Sequence, residues 1–342
     1  MIKRIALMGA GSLGTIFGAL LTQKGHDIVL VDTNAEHVNA LNTTGAHIVG
    51  SIDEVIPVKA CLPDQMEGTY DLFIYMAKQT FNDKAIPQMM AHCHENTIIA
   101  TCQNGLPEVA LSKYYPAEKI MGVPINWAAI FQGPGTSYLA TPRDLMNVTL
   151  GTYTGEHTPE LDEVAAILGS VVQVSMSANL MGLRWSKLII NASYSGLSTV
   201  NGISLGAVSQ DKDLMKIVCY INRECIRVMQ AAGIQRELIH AGGKSYDFEA
   251  MFSFDNEPDV DAAFAAAGEY MRGTEKAMAS MLQDIQKGIP CEIDAINGAV
   301  CDAGKEYGVP TPVNDQIVDI VRKIERGVLS PDRKTADLIV CK

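Results

Sequence analysis

Apolar positions run in short continuous blocks through the first half of the chain and at helical spacing through the second. Residues 5–8, 27–31, 71–76, 96–102, 120–123 and 147–151 are blocks of strand length. Strands that are apolar at successive positions are buried on both faces, as in a parallel sheet. Residues 15–24 and 35–43 carry helix-forming sequence between them. Two shorter strand-like stretches lie at 47–49 and 55–58, and Gln132-Gly133-Pro134-Gly135 reads as a loop. Strand and helix therefore alternate to about residue 180, the pattern of a doubly wound α/β sheet.

From Gly182 the helical period dominates. Residues 184–191 open a helix, 214–232 form a long amphipathic helix that stops at Gly233, and 313–326 form the last one. Tyr307-Gly308-Val309-Pro310-Thr311-Pro312 is a rigid loop before it. An acidic stretch near 246–270 holds Asp247, Glu249, Asp255, Glu257, Asp259, Asp261 and Glu269. Phe248, Phe252, Phe254 and Phe264 are interleaved with these acids. Aromatic side chains need burial, so the stretch reads as an inserted helix or lid-like segment and not as disorder. The expected plan is an α/β domain over 1–180 and a mainly α-helical domain over 181–342.

Composition narrows the class. The chain has 342 residues, 47% of them hydrophobic and 19% charged, as in a globular protein with a large core. No apolar run reaches the roughly 18 residues of a membrane span. The amino terminus enters a core strand directly and does not look like a cleaved signal, so a cytoplasmic protein is expected. A net charge of −12 argues against nucleic acid. It also means that a site for an anion must bring its own positive charge. The eight cysteines form no C-x-x-C pair and read as reduced core thiols. His92-Cys93-His94 looks metal-like, but neighbours two apart on a helix do not share a face and no second cluster follows, so no metal is expected.

The chemistry starts at Gly9-Ala10-Gly11-Ser12-Leu13-Gly14, a G-x-G-x-x-G turn between a strand and a helix. Gly9 permits the tight turn, Gly11 lets a pyrophosphate approach the backbone, and Gly14 lets the helix pack on the strand. The helix N-terminus then holds the phosphates. Asp32 ends the next strand, about 20 residues on, where a carboxylate accepts hydrogen bonds from the ribose hydroxyls of NAD and repels the 2′-phosphate of NADP. Its bland role is a helix N-cap, shared with Asn34. NAD is favoured, with NADP as the alternative. Lys78 and Asn104 follow later strands, at the sheet edge where ligands of such sheets bind. Lys78 reads equally well as a solvated loop lysine.

In the helical half, Lys187, Asn191 and Ser195 are spaced i, i+4, i+8 on one helix face between apolar residues. A lysine there has its pKa lowered by desolvation and suits proton donation; otherwise it snorkels to the surface. Glu292 and Asp294 read as the first turns of a helix, where the dipole favours acids.

Taken with three more segments, these residues resemble the ketopantoate reductase family over nearly the whole chain. The segments are Trp185-Ser186-Lys187-Leu188-Ile189-Ile190-Asn191, Ser280-Met281-Leu282-Gln283-Asp284 and Glu292-Ile293-Asp294-Ala295-Ile296-Asn297-Gly298. Gln103-Asn104-Gly105 and Pro134-Gly135 also match. The resemblance implies a Rossmann domain followed by a helical domain. It implies reduction of a 2-keto acid to the (R)-2-hydroxy acid with a nicotinamide cofactor, as in pantothenate synthesis. Lys187 then matches the catalytic lysine that protonates the carbonyl oxygen, and Glu292 the glutamate that orients this chemistry. Asn104, Asn191, Ser195 and Ser280 fall at substrate-binding positions, with Asn104 and Lys78 also near the cofactor. The implied partners are a small anionic 2-keto acid and a second copy of the chain in a homodimer.

Three departures bear on the substrate. Asp32 stands where NADP-using members carry a basic residue. Ser195 stands where a second substrate-binding asparagine is usual. The acidic stretch lengthens the chain. An NAD-dependent D-2-hydroxyacid dehydrogenase acting on another bulky 2-keto acid, as D-mandelate dehydrogenase does, is therefore the alternative within the class. Outside it stand an opine or 3-hydroxy acid dehydrogenase, which should lack the Glu292 segment, and an NAD(H)-binding sensor without turnover, which should lack Lys187 or Glu292.

Overall fold

The structure, a computed structural model, describes residues 1–241, 244–247, 249 and 252–341. Phe248, one of the aromatic residues of the acidic stretch, lies outside them. The chain separates into two compact units, Met1–Gln103 with Pro107–Leu180, and Asn104–Leu106 with Met181–Lys342. Among the described residues no helix is long and apolar enough to cross a membrane.

The first unit runs β1 (Arg4–Met8), α1 (Ser12–Gln23), β2 (Asp27–Val31), α2 (Ala35–Thr43), β3 (Ala46–Gly50), β4 (Glu54–Ile56), β5 (Lys59–Cys61) and β6 (Tyr70–Tyr75). It continues with α3 (Asn82–Met90), β7 (Cys93–Thr101), α4 (Pro107–Leu111), β8 (Ile120–Gly122), β9 (Ala129–Gly133), β10 (Thr136–Leu139), β11 (Asn147–Thr152), α5 (Pro159–Gly169) and β12 (Gln173–Met176). Its main sheet has the order β12-β11-β8-β7-β6-β1-β2-β5. The central pairs β1–β2, β1–β6, β2–β5, β6–β7 and β7–β8 are parallel, and β8–β11 is antiparallel. From β1 the chain builds outward to β5, then returns to the other side of β1 as β6. That reversal is a topological switch, and the carboxyl ends of β1 and β6 flank it.

Continuous apolar strands are explained by two buried faces. Ile5, Leu7, Leu30 and Ile74 pack with Ile16, Phe17 and Leu20 of α1 and Val164 and Leu168 of α5. Ala6, Met8, Val31 and Phe73 pack with Ala85, Ile86 and Met89 of α3. Burial of each Leu or Ile side chain contributes about 1.5–3 kcal/mol.

A second sheet of order β4-β3-β10-β9 corrects the reading of two segments. The strand-like stretch at 47–49 falls in this sheet and not in the main one, as do Val55 and Ile56 of the stretch at 55–58. Of the residues read as a loop at 132–135, Gln132 and Gly133 end β9 and Pro134 and Gly135 form the hairpin turn to β10, with φ of +137° at Gly133 and +75° at Gly135. The inner side chains Ile48, Ile56 and Leu139 join the core around α1. Helix α1 itself starts at Ser12, directly after Gly11, three residues before the expected start.

The second unit is helical. It contains α6 (Leu180–Ile190), a π-helical turn (Asn191–Ser195), α7 (Gly196–Asn201), α8 (Leu205–Ser209), α9 (Lys212–Ala231) and the hairpin β13 (Ile239–Ala241) and β14 (Lys244–Tyr246). Helices α10 (Val260–Tyr270), α11 (Ser280–Gln286), α12 (Asn297–Tyr307), α13 (Pro312–Glu325) and α14 (Arg333–Ala336) follow. Of the described phenylalanines of the acidic stretch, Phe252 is buried and Phe254 and Phe264 are half-buried. Phe252 is 1% exposed. The Arg223 guanidinium lies over both the Tyr220 and Phe254 rings, 4.5 and 4.6 Å from their centres. Such contacts are worth about 0.5–2 kcal/mol each.

A buried polar chain fixes the π turn. Glu224 of α9 is 3% exposed and accepts from the backbone N–H groups of Val313 (2.8 Å) and Asn314 (2.9 Å) and from Asn314 Nδ2 (2.7 Å), which caps α13. Burial pushes the Glu224 carboxyl up, and these amides oppose it. Asn314 Oδ1 accepts from Asn297 Nδ2 at 2.9 Å, and the same amide donates to the Ala192 carbonyl at 2.9 Å. A π turn leaves the ordinary i→i−4 ladder, so its carbonyls need other partners. Asn297 supplies one. At the start of α9, Asp211 accepts from the N–H groups of Asp213 (2.9 Å) and Leu214 (3.1 Å) and from Arg333 Nε (2.9 Å). Burial alone would raise the Asp211 pKa, but the Leu214 amide, Arg333 and the Asp213 amide together lower it.

Two outcomes follow. Asn297→Leu keeps the side-chain branching but strands the Ala192 carbonyl and Asn314 Oδ1, and is expected to lower stability by about 3 kcal/mol in urea unfolding; a loss under about 1 kcal/mol removes Asn297 from this role. Asp211→Ala loses an N-cap and costs about 1 kcal/mol at pH 7. A carboxylate with a depressed folded pKa stabilises above its unfolded pKa, and this is lost as pH falls through the folded value. The stability gap between Asp211→Ala and wild type should therefore narrow in acid; a gap independent of pH contradicts the carboxylate's role.

Candidate functional site

The phosphate-type turn is built by crowding on one side and space on the other. Gly9 has φ +102°, and a Cβ there would lie 2.2 Å from the Ala77 nitrogen. A Cβ on Gly14 would lie 2.2 Å from the Gly9 oxygen. Only glycine fits either position. A Cβ on Gly11 meets nothing within 4 Å, so this side of the turn is open to a ligand. Gly9 and Ala10 donate their N–H groups to the Val31 carbonyl at 2.8 and 3.1 Å, which ties the turn to β2. The remaining amides lie in the first turn of α1, from Gly11 through Ser12 and Leu13 to Gly14. First-turn N–H groups have no intrahelical partner and suit a pyrophosphate. The residues present therefore fit a dinucleotide.

Asp32 is half-buried just past β2. Its Oδ1 accepts from the Asn34 N–H at 3.0 Å. The N-cap of α2 is Asn34, whose side chain accepts from the His37 N–H at 3.1 Å. The capping alternative for Asp32 is thus filled by its neighbour. Lys78 is half-buried in the segment that leaves β6. That segment is held by Gln103, which donates from Nε2 to the Ala77 carbonyl (2.6 Å) and to Asn82 Oδ1 (3.0 Å). Tyr75 Oη donates to the same Asn82 oxygen at 2.6 Å. In the sequence, Gln103 enters only through the Gln103-Asn104-Gly105 segment that carries the resemblance. Its side chain acts 26 residues away along the chain, which no local pattern signals.

In the second unit, Lys187, Asn191 and Ser195 are each half-buried, while Trp185, Leu188, Ile189, Ala192 and Tyr194 are buried. The polar stripe on an otherwise buried helix is present. Its register is corrected, because the π turn begins at Asn191 and the i+4 rule holds only from Lys187 to Asn191. Glu292 is 6% exposed. Helix α12 begins at Asn297, so Glu292 and Asp294 precede it and do not occupy its first turn. The dipole explanation therefore fails for both acids. Asp294 instead pairs with Arg322 at 2.6 Å on the surface. Ser280 opens α11 and is exposed, whereas Asp284 of the same segment is 4% exposed. Asn104, half-buried, belongs to the second unit with these residues. Gly9, Ala10, Gly11, Ser12, Leu13, Gly14, Asp32 and Lys78 belong to the first. Among the described residues no group of three or more His, Cys, Asp or Glu side chains is placed to hold a metal ion.

Known proteins carry the same two parts. Residues 5–154 match the family description "Ketopantoate reductase PanE/ApbA", and residues 179–325 match its C-terminal counterpart. A 2-dehydropantoate 2-reductase of Pyrococcus abyssi is 24% identical over 315 residues, covering 91% of this chain and 94% of that protein. The solved ternary structure of D-mandelate dehydrogenase with NADH and anilino(oxo)acetate has a TM-score of 0.80 at 25% identity, covering 95% of this chain and 99% of that one. A PanE/ApbA family ketopantoate reductase from Ralstonia eutropha JMP134 has a TM-score of 0.77 at 25% identity, with the same coverage. With its Rossmann-type unit, its helical unit and its open glycine turn, the chain belongs to the ketopantoate reductase family of NAD(P)-dependent oxidoreductases.

Proposed function

We propose that this chain reduces the C2 ketone of a small anionic 2-keto acid to the (R)-2-hydroxy acid. The observation that carries the reading is the stripe of Lys187 and Asn191, half-buried on a helix whose flanking residues are buried. The reduced nicotinamide, when bound, supplies the hydride to C2. Negative charge then develops on the keto oxygen. The Lys187 ammonium stabilises that charge and gives up its proton to the oxygen, so the ketone gains one hydride and one proton. Water reprotonates the lysine. Glu292, buried beside the start of α12, orients this exchange. Asn104, Asn191, Ser195 and Ser280 hold the substrate, and Lys187 and Lys78 supply positive charge that the acidic chain otherwise lacks.

NADH is the proposed cofactor, because Asp32 directly follows β2, its Oδ1 accepting from Asn34 and its second oxygen left to a ribose, and Thr33 and Ala35 beside it carry no charge. Asp32 and Ser195 together favour a bulky 2-keto acid other than ketopantoate. The likeness to D-mandelate dehydrogenase supports this branch. Ketopantoate itself is the second reading, supported by the similarity to 2-dehydropantoate 2-reductases. Initial rates with ketopantoate, phenylglyoxylate and 2-ketoisovalerate, each with NADH and NADPH, separate them. Light scattering reads whether the chain works as the homodimer expected from its sequence.

Lys187→Ala is expected to cut kcat about 10²–10⁴-fold with NADH affinity nearly unchanged. Equal activity excludes the lysine from proton transfer. Asp32→Ala is expected to raise the NADPH-to-NADH ratio of kcat/KM about tenfold, a shift of ~1.4 kcal/mol. An unchanged ratio makes Asp32 structural only.

A further inference from the structure

One buried side chain ties the glycine turn to the β9–β10 hairpin. His37 of α2 is 1% exposed. Its Nδ1 accepts from the Gly135 N–H at 2.9 Å, at the tip of the β9–β10 hairpin. A backbone N–H can only donate, so Nδ1 carries no proton and the imidazole is the Nε2–H tautomer. Nε2 then donates to the Ala10 carbonyl at 2.8 Å. Thr15 Oγ1 of α1 donates to the same carbonyl at 2.7 Å and lies 3.1 Å from Nε2. The Phe131 ring meets the imidazole edge-on at 5.2 Å. Both ring nitrogens are therefore committed, one to the turn and one to the hairpin.

The Ala10 carbonyl belongs to the peptide that ends in the Gly11 N–H. A trans peptide is planar, with its C=O and N–H pointing in opposite directions. Holding the Ala10 oxygen against His37 and Thr15 therefore aims the Gly11 N–H away from them, and a Cβ on Gly11 would meet nothing within 4 Å. Helix α2 is also tied to Asp32, the proposed ribose partner, since the Asn34 side chain accepts from the His37 N–H and the Asn34 N–H donates to Asp32.

We propose that His37 is a positioning residue for the dinucleotide, and that the β9–β10 hairpin braces the phosphate turn through its imidazole. The inference rests on the dinucleotide-binding reading of the glycine turn and does not depend on which keto acid is reduced. Binding free energy is recovered only if the turn is already aimed before the ligand arrives.

NADH titration by fluorescence, with no keto acid present, reads the effect directly. His37→Asn keeps an acceptor near Nδ1 but loses the donor to Ala10, and should raise the Kd for NADH about tenfold. His37→Gln keeps a donor near Nε2 and should raise it about threefold. In both variants kcat at saturating NADH and the KM for keto acid should stay within about twofold of wild type. Coupling between sites is reciprocal, so hydrogen exchange at the Gly135 amide of the wild-type protein should slow on NADH binding, a measurement that needs no variant. Kd values equal to wild type in both variants, or a Gly135 exchange rate indifferent to NADH, overturn the proposal. A loss confined to kcat with Kd unchanged overturns it as well.

Discussion

The nucleotide side of this molecule depends on how closely two backbone segments pass at the end of the sheet. The Met8 carbonyl accepts from both the Met76 N–H (2.8 Å) and the Ala77 N–H (2.9 Å), so the chain leaving β6 is drawn against the chain leaving β1. A Cβ on Gly9 would stand 2.2 Å from the Ala77 nitrogen. The switch between β1 and β6 is thus closed to any side chain at that point. This crowding directs the chain into the turn, sets the start of α1, and leaves the open face at Gly11. The same approach places the Ala77–Lys78 segment beside the glycine turn.

An acidic chain that receives anionic ligands cannot rely on its overall field, which repels them. It relies on local donors. In the first unit these are backbone amides at a helix N-terminus, aimed by Val31, Thr15 and His37 and not by net charge. In the second unit a half-buried ammonium, Lys187, stands on a helix. Elsewhere in that unit the buried Glu224 carboxylate has three donors, and the Arg223 guanidinium lies over the rings of Tyr220 and Phe254.

The glycine spacing, the acid after β2 and the continuous apolar strands were legible because each depends on residues adjacent in the chain. Long-range contacts were not. Residues 132–135 read as a loop because the hairpin is short and its partner β3 lies about ninety positions earlier, in parallel register. His37 reads as an ordinary helical residue, since its partners Ala10 and Gly135 are 27 and 98 positions away. Glu292 and Asp294 looked like helix-dipole acids because Glu and Asp before an apolar run fit that rule, yet α12 begins only at Asn297. The polar stripe of Lys187 and Asn191 was legible from spacing. The π turn that follows was not, because no composition rule marks the residue at which a helix changes its ladder.

That π turn also bears on how relatives of this chain could diverge. A π turn holds one residue more than an α turn would in the same length, and each added residue rotates a helix by about 100°. Deleting a single residue within Asn191–Ser195 would restore a regular helix and swing every later side chain of α7 by that angle, Asn297 notwithstanding. Insertion and deletion, and not only substitution, thus become routes by which one scaffold presents different side chains beside the same lysine. The length of a helix, rather than its composition, can encode what the site accepts.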